Sequence, residues 1–327
     1  MAPRFSLRQL EYMVAVAESG SVLAASKRVN VSSSSISAAV SQLEAELGVQ
    51  LFVRQHAQGL NLTSVGQQFF KEAKGILHRV ALLGDLANDA IQSVRGPISI
   101  GCFVTLAPLV SAAFRRSFSD KFPHVEVTMR EGNQVELLAM LARAEIDVAI
   151  TYDLDIPTGY DFEGLIELPP QLILAADDPL GKKDNITIED LVEKPMVLLD
   201  LPLSSTYFLS LFQGRGLRPQ IAERVSNLSS LRSLVANGFG YGLLNVSTKT
   251  NFAPDGKRLV FRQLVGKHRP MVFGLARMKS HYSPRIVAAF LPFLFPYVVT
   301  VRSMLFEPLP IRLKSSFGGG IFLTLTS

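Results

Sequence analysis

A chain of 327 residues has room for two domains or more, each with its own core. Apolar residues at 48% and charged residues at 19% exclude a disordered polymer. The formal net charge of +5 is compatible with a polyanionic partner without requiring one, and a single cysteine excludes a disulfide within the chain, as suits a reducing cytosol.

Leu7, Leu10, Val14 and Ala17 recur at helical spacing across 5–19, with Ser6 as a cap and Gly20 as a stop. Gln9, Glu11 and Glu18 interrupt this stretch, so no secretion signal is expected. Ser21 caps a second helix over 22–29, and Ser32 caps a third that runs to Leu47 and ends at Gly48. Two short helices, a tight turn and a longer helix make a helix-turn-helix pattern; an ordinary helical hairpin would share it.

The third helix has two unlike faces. Ile36, Val40, Leu43 and Leu47 form an inward stripe. Ser33, Ser34, Ser37, Ala38 and Ser41 fall outside it, and small polar side chains let a backbone approach the major groove closely. The β-prone stretches 49–53 and 60–62 flank a turn at 56–59, which reads as a wing. Arg54, His56 and Gln58 stand where a wing tip meets phosphates or the minor groove.

Thr63 opens a long helix. Phe69, Ala73, Ile76, Val80, Leu83, Ala87, Ala90 and Val94 recur in steps of four and three. That heptad seam favours pairing between two chains, which suits a two-fold DNA site.

Gly96-Pro97 breaks the helix and marks a boundary. Strands expected at 98–103, 125–130 and 146–151 alternate with helices at 106–118 and 134–143, which predicts a parallel sheet. A second α/β run follows through 171–176, 196–200, 223–227 and the helix 228–237. The chain then returns through a strand at 271–276 and a helix at 284–294. Two lobes joined near 168–169 and 267–270 would enclose a cleft. Ligands of such sheets sit at strand C-termini, beside helix N-termini. The physical candidates there are Asn133, Tyr152, Thr206 and Asn227. Such a lining is polar and holds few charges.

No phosphate loop or metal-ligand cluster appears, so no cofactor, metal or catalytic residue is expected. Gly238-Phe-Gly-Tyr-Gly242 follows a helix rather than a strand and reads as a turn. The apolar stretch 286–301 is interrupted by Pro292 and Pro296, and reads as a buried terminal helix rather than a membrane span.

Several of these residues carry a family resemblance. Leu7-Arg-Gln-Leu-Glu-Tyr12, Ser32 to Gly48 with Val49-Gln-Leu-Phe-Val-Arg54, Leu62-Thr-Ser-Val-Gly66 and Val235-Ala-Asn-Gly-Phe-Gly240 resemble the LysR-type transcriptional regulators over roughly 7–295. The resemblance implies an α/β chain of three parts. An all-α-rich N-terminal winged helix-turn-helix (1–63) binds DNA, and a linker helix (64–95) dimerises. A two-lobed, periplasmic-binding-protein-like effector domain (96–300) follows, with lobe I near 96–168 and 269–300 and lobe II near 169–268. The tail 301–327 lies outside the likeness.

The function implied is a sequence-specific, non-enzymatic, cytoplasmic regulator of transcription. It would bind double-stranded promoter DNA at a two-fold site, assemble as a dimer and then a homotetramer, and respond to a small molecule between the lobes. RNA polymerase is a further partner the resemblance allows, and no membrane is involved. Many members carry Ser-Gln-Pro and an arginine six residues after that serine, where this chain has Ser33, Ser34 and Ala38. Serine lacks their bidentate reach, so more discrimination falls to the wing and to DNA shape. Arg54 matches a family arginine and is expected on phosphate; Ser32 starts the matching helix. Thr105 matches the family's effector position on lobe I, and Leu201 to Ser204 the facing position. Two other readings stay open: a small-molecule binding protein, or a Rossmann-like enzyme, each with N-terminal dimerisation helices.

Overall fold

The computed structural model describes residues 5–55, 59–89, 94–246 and 250–279, and the helical positions 286, 287, 289, 290 and 294. The tail 301–327 lies outside the described residues, as do Ala90 of the heptad seam and most of the expected terminal helix. The chain divides into two compact units. One is Met1–Ser93 with Ala142–Glu145, and the other is Val94–Leu141 with Ile146–Ser327.

In the first unit, α1 (Leu7–Ser19), α2 (Val22–Val29) and α3 (Ser33–Leu47) precede a hairpin of β1 (Phe52–Gln55) and β2 (Gly59–Leu62), followed by α4 (Ser64–Asp89). The helix starts are set by serines. Ser6 and Gln9 form a reciprocal capping box, and Ser21 and Ser32 accept from Ala24 N and Ser35 N. Gly20, Asn30 and Gly48 end the three helices in the left-handed conformation. Leu10, Met13, Val16, Ala25, Ile36, Leu43 and Leu51 close a core with essentially no exposure. Gly66 on α4 admits no side chain, because a Cβ there would lie 2.0 Å from Leu51 O.

The second unit has two lobes. Lobe I holds β3 (Gly96–Phe103), α5 (Ala107–Lys121), β4 (Val125–Gly132), α6 (Gln134–Ala142), β5 (Val148–Tyr152) and β6 (Tyr160–Leu168). Lobe II holds β7 (Gln171–Ala175), β8 (Pro195–Leu199), α7 (Ser204–Gln213), β9 (Gln220–Val225), α8 (Leu228–Ala236), β10 (Gly242–Leu244) and β11 (Leu259–Gln263). The chain returns to lobe I as β12 (Met271–Met278).

The sheets differ from the all-parallel expectation. The lobe I order is β4-β3-β5-β12-β6, with β3 parallel to β4 and β5 but β12 antiparallel to both β5 and β6. In lobe II, β7 lies between β10 and β11, antiparallel to each, while β8 and β9 pair in parallel. The cause is connectivity. A strand that returns from another lobe needs no right-handed helical crossover, so nothing forces it parallel. Neither β6 nor β11 is expected from the sequence. Both lack a clean alternation, and β6 is half-buried along most of its length.

Gly238 and Gly240 take φ of +81° and +146°, and a Cβ on Gly240 would meet Pro195 O at 2.2 Å. The glycine run is thus a tight turn into β10, as its position after a helix suggests. Ile286, Val287, Phe290 and Leu294 are buried, and Phe290 packs on Phe114 at 4.7 Å between ring centroids.

Candidate functional site

Two surfaces carry the expected chemistry. The first is the outer face of α3. Ile36, Val40 and Leu43 are buried, while Ser34, Ser37, Ala38 and Ser41 are exposed. The hydroxyls divide into two groups. Ser32 caps the helix and its Oγ also pairs with Ser34 Oγ at 3.0 Å and Ser35 Oγ at 2.7 Å. Ser33 Oγ donates to Ser26 Oγ at 3.1 Å and so ties α3 to α2. Ser37 and Ser41 present hydroxyls with no partner among the described residues. The first turn is therefore occupied in building the motif, and the free donors begin one turn later.

The wing is fixed to this helix by a residue the sequence reading passed over. Glu44 Oε1 accepts from Leu51 N at 2.7 Å and Phe52 N at 3.0 Å, which ties the entry of β1 to the last turn of α3. Thr63 Oγ1 donates to Gln50 O at 2.8 Å and caps α4 through Gly66 N. A carboxylate within one turn of a helix C-terminus is unfavourable for the helix dipole, and that was the available signal. Arg54 lies on β1, opposite Leu60 on β2. His56 and Gln58 lie outside the described residues.

The second surface is a cleft between the lobes of the second unit. Lobe I contributes Phe103, Thr105, Tyr152 and Met271 to its wall. Lobe II contributes Leu199, Leu201, Ser204 and Phe208 from β8, α7 and the turn between them, and Leu228, Leu244, Asn245 and Val246 from α8, β10 and the segment after β10. The lobes are nearly closed. The free volume of the cleft is about 20 Å³, room for only one or two waters.

Of the seven expected effector contacts, Thr105, Tyr152, Leu201 and Ser204 line this cleft. Asn133, Thr206 and Asn227 are not among its lining residues. Asn133 Oδ1 accepts from Glu136 N as a cap on α6, Asn227 Oδ1 caps α8 through Ser230 N, and Thr206 faces solvent on α7. A capping side chain turns back on its own helix and is spent there. The predicted polar lining is also corrected, since most of the wall is carbon. Phe103, Phe208, Leu244 and Met271 came from strands and a helix whose inward direction depends on the packing of both lobes.

The polar atoms of the cleft are held in detail. Gln134 is fully buried and donates from Nε2 to Tyr152 O and Leu154 O at 3.0 Å each, while its Oε1 accepts from Thr151. This fixes the end of β5, so Tyr152 faces the cleft with its ring 5.1 Å from Phe103. Burial pushes the Tyr152 phenol well above its ordinary value, and a hydrogen bond with Thr105 offsets only part of that.

At the lobe crossings, Asn245 Nδ2 donates to Leu168 O at 2.7 Å and to Tyr207 OH at 3.3 Å. Tyr207 OH donates to Arg269 O at 2.7 Å, and burial pushes that phenol up to about 12, so it stays protonated. Arg269 Nη2 donates to Asp153 Oδ2 at 2.8 Å, and Asp153 Oδ1 accepts from Val272 N at 2.8 Å. Both crossings are thus bound into one chain of hydrogen bonds.

A helix-turn-helix with a wing, joined to a two-lobed α/β unit with a cleft, is the arrangement of a ligand-responsive DNA-binding regulator. Residues 7–67 match the bacterial regulatory helix-turn-helix protein, lysR family, and residues 92–296 match the LysR substrate binding domain. The chain belongs to the LysR family of transcriptional regulators, which are not enzymes.

It is similar to HinK, a LysR family transcriptional regulator from Pseudomonas aeruginosa. The two are 32% identical over 89% of this chain and 98% of that one, with a TM-score of 0.61. It is 29% identical to the HTH-type transcriptional regulator BsdA of Bacillus subtilis (strain 168), over 74% of this chain and 84% of that protein. Full-length CbnR, solved in complex with its target DNA, is 25% identical over 92% of this chain and 99% of that one, with a TM-score of 0.52.

Proposed function

We propose that the exposed second turn of α3 enters the major groove of promoter DNA, with Ser37, Ala38 and Ser41 against the bases and Arg54 on phosphate. Residues 1–63 form this reading head, 64–95 pair two chains, and 96–300 hold the effector. The observation that carries the reading is the division of α3. Ile36, Val40 and Leu43 are buried in the core with Leu47 packed against it, while Ser37 and Ser41 offer hydroxyls without partners among the described residues. DNA recognition by such a face sets position and reads few bases individually.

Pairing rests on α4, where Ile76 is 42% exposed and Val80 36% exposed on the heptad seam of a single chain. A second copy would cover them, and dimers would pair into a tetramer on a two-fold site. Among the described residues no helix is long and apolar enough to cross a membrane, which agrees with a cytoplasmic regulator. A small molecule in the interlobe cleft tunes the output.

Fluorescence anisotropy with the DNA upstream of the protein's own gene tests the reading. Ser37→Glu places a carboxylate on the exposed face without entering the core. It should abolish binding while leaving the thermal melt intact; unchanged affinity would sink the assignment of α3.

A further inference from the structure

The cleft has a chemical bias that narrows what it can hold. Thr105 is a hydrogen-bond partner of the Tyr152 phenol. Two other polar atoms on the wall have no partner in the protein among the described residues: Ser204 Oγ and Asn245 Oδ1. Both belong to side chains more than nine-tenths buried, with Ser204 at 3% and Asn245 at 4% exposure. A buried polar atom without a partner is costly, and in a binding cleft it marks where a ligand supplies the missing bond.

The Asn245 orientation is set by its surroundings. Leu168 O can only accept, and Tyr207 OH has already donated its proton to Arg269 O. The amide nitrogen must therefore face those two groups, which leaves the oxygen as an unpartnered acceptor on a residue of the cleft wall. Among the described residues no charged side chain lines the wall, which is otherwise carbon from residues such as Phe103, Leu201, Phe208, Leu244 and Met271.

Resting on the reading of this cleft as the effector site, we propose that its ligand is a small uncharged molecule, mostly apolar, carrying a hydroxyl. That hydroxyl donates to Asn245 Oδ1 and accepts from Ser204 Oγ. A carboxylate brings only acceptors, meets the lone pairs of Asn245 Oδ1, and finds no cation among the described residues of the wall to replace its water. An ammonium finds no carboxylate. The ends of α7 and α8 reach the wall at Ser204 and Leu228, and their fractional positive charge is the one feature that favours an anion.

The hydroxyl reports directly to the lobe crossings. The same Asn245 side chain that receives it holds Leu168 O and Tyr207 OH, so ligand binding acts on the residue that ties the lobes together. With only about 20 Å³ free, the lobes must part to admit a ring.

The test uses the full-length protein and four probes that share one ring: phenol, benzyl alcohol, benzoate and benzylamine. Calorimetric titration and thermal shift should show binding by at least one hydroxylic probe and none by benzoate or benzylamine. Ser204→Ala, whose lost hydroxyl makes no bond among the described residues, should weaken the hydroxylic probe by about three- to tenfold. If benzoate or benzylamine binds as tightly as the alcohols and Ser204→Ala weakens it, the cleft stands and the ligand class is overturned. If a probe binds with no change in either Ser204→Ala or Phe208→Ala, the cleft itself is not its site and the underlying reading fails. No binding by either hydroxylic probe overturns the class.

Discussion

At the scale of single residues, a thiol and a guanidinium can each be tested on their own. Cys102 lies on β3 with no exposure, and burial pushes its thiol up to about 12. A thiol held that high carries almost no thiolate near neutrality, and thiolate is the reactive form. In the native protein at pH 8 Cys102 should resist a disulfide reagent for as long as the fold persists, and react at once in denaturant; rapid native labelling would contradict the burial. Arg54 lies on the wing strand, opposite Leu60. As the proposed phosphate contact it should act alike on many DNA sequences. Arg54→Ala is expected to weaken binding to specific and random duplexes in parallel, and to reduce the slope of log affinity against log salt by about one. A loss confined to one base pair would assign it to base reading instead.

At the scale of elements, α4 has an apolar seam that one chain leaves open. Phe69 and Ala73 are drawn into the core of the first unit, whereas Ile76 and Val80 remain exposed further along. Ile76→Glu should therefore leave the melting of the helix-turn-helix core intact and shift the protein to monomer in light scattering. A dimer that survives would place the interface elsewhere.

A second element-scale feature is the ion pair that joins three helices. Glu18 of α1 receives Arg28 of α2 at 2.6 Å and Lys74 of α4 at 2.5 Å. Burial alone would raise this carboxyl, but the hydrogen bonds and charges of Lys74 and Arg28 outweigh it and hold it below the usual range. The folded state therefore favours the ionised form. The stabilisation is present above the unfolded value of about 4.3 and is lost as pH falls through the lower folded value. Thermal melts between pH 6 and acid should show a shallower decline for Glu18→Gln than for the natural chain, which starts higher and loses more.

At the scale of the whole effector-binding unit, the decisive structure is the hydrogen-bonded chain across the two lobe crossings, from Asp153 through Arg269 and Tyr207 to Asn245. Asp153 binds Val272 N with one oxygen and Arg269 with the other, so it holds both the backbone and the side chain of the returning crossing. Asp153→Ala removes both bonds without entering the cleft wall. The expected result is faster amide exchange at 268–272 and a looser closed state, seen as a wider angular distribution in solution scattering of the ligand-free protein. Unchanged exchange there would show that the crossing is held by packing alone.

Much of this molecule is legible without coordinates, for local reasons. Serine caps, glycine stops and the Ile36-Val40-Leu43 stripe each act within a few residues, so the three helices of the reading head and the exposed face of α3 follow from spacing alone. The seam on α4 is local in the same sense. The cleft is only half legible. Tyr152 stands at a strand end and was accessible to reasoning about strand termini, whereas Thr105, Leu201 and Ser204 came from the family resemblance. Asn133 and Asn227 stood at equally plausible ends, yet both turned back to cap their helices, a choice that only neighbouring geometry makes. Asn245 gave no sequence signal at all, because its importance comes from Leu168, Tyr207 and Arg269, between 24 and 77 residues away in the chain. Local order, capping and the two-faced reading helix were decided by the sequence through short-range physics. The antiparallel return of β12, the grip of Glu44 on the wing, the apolar wall and the two unpartnered atoms of the cleft were decided by tertiary structure, since each depends on which distant surfaces meet once the lobes close.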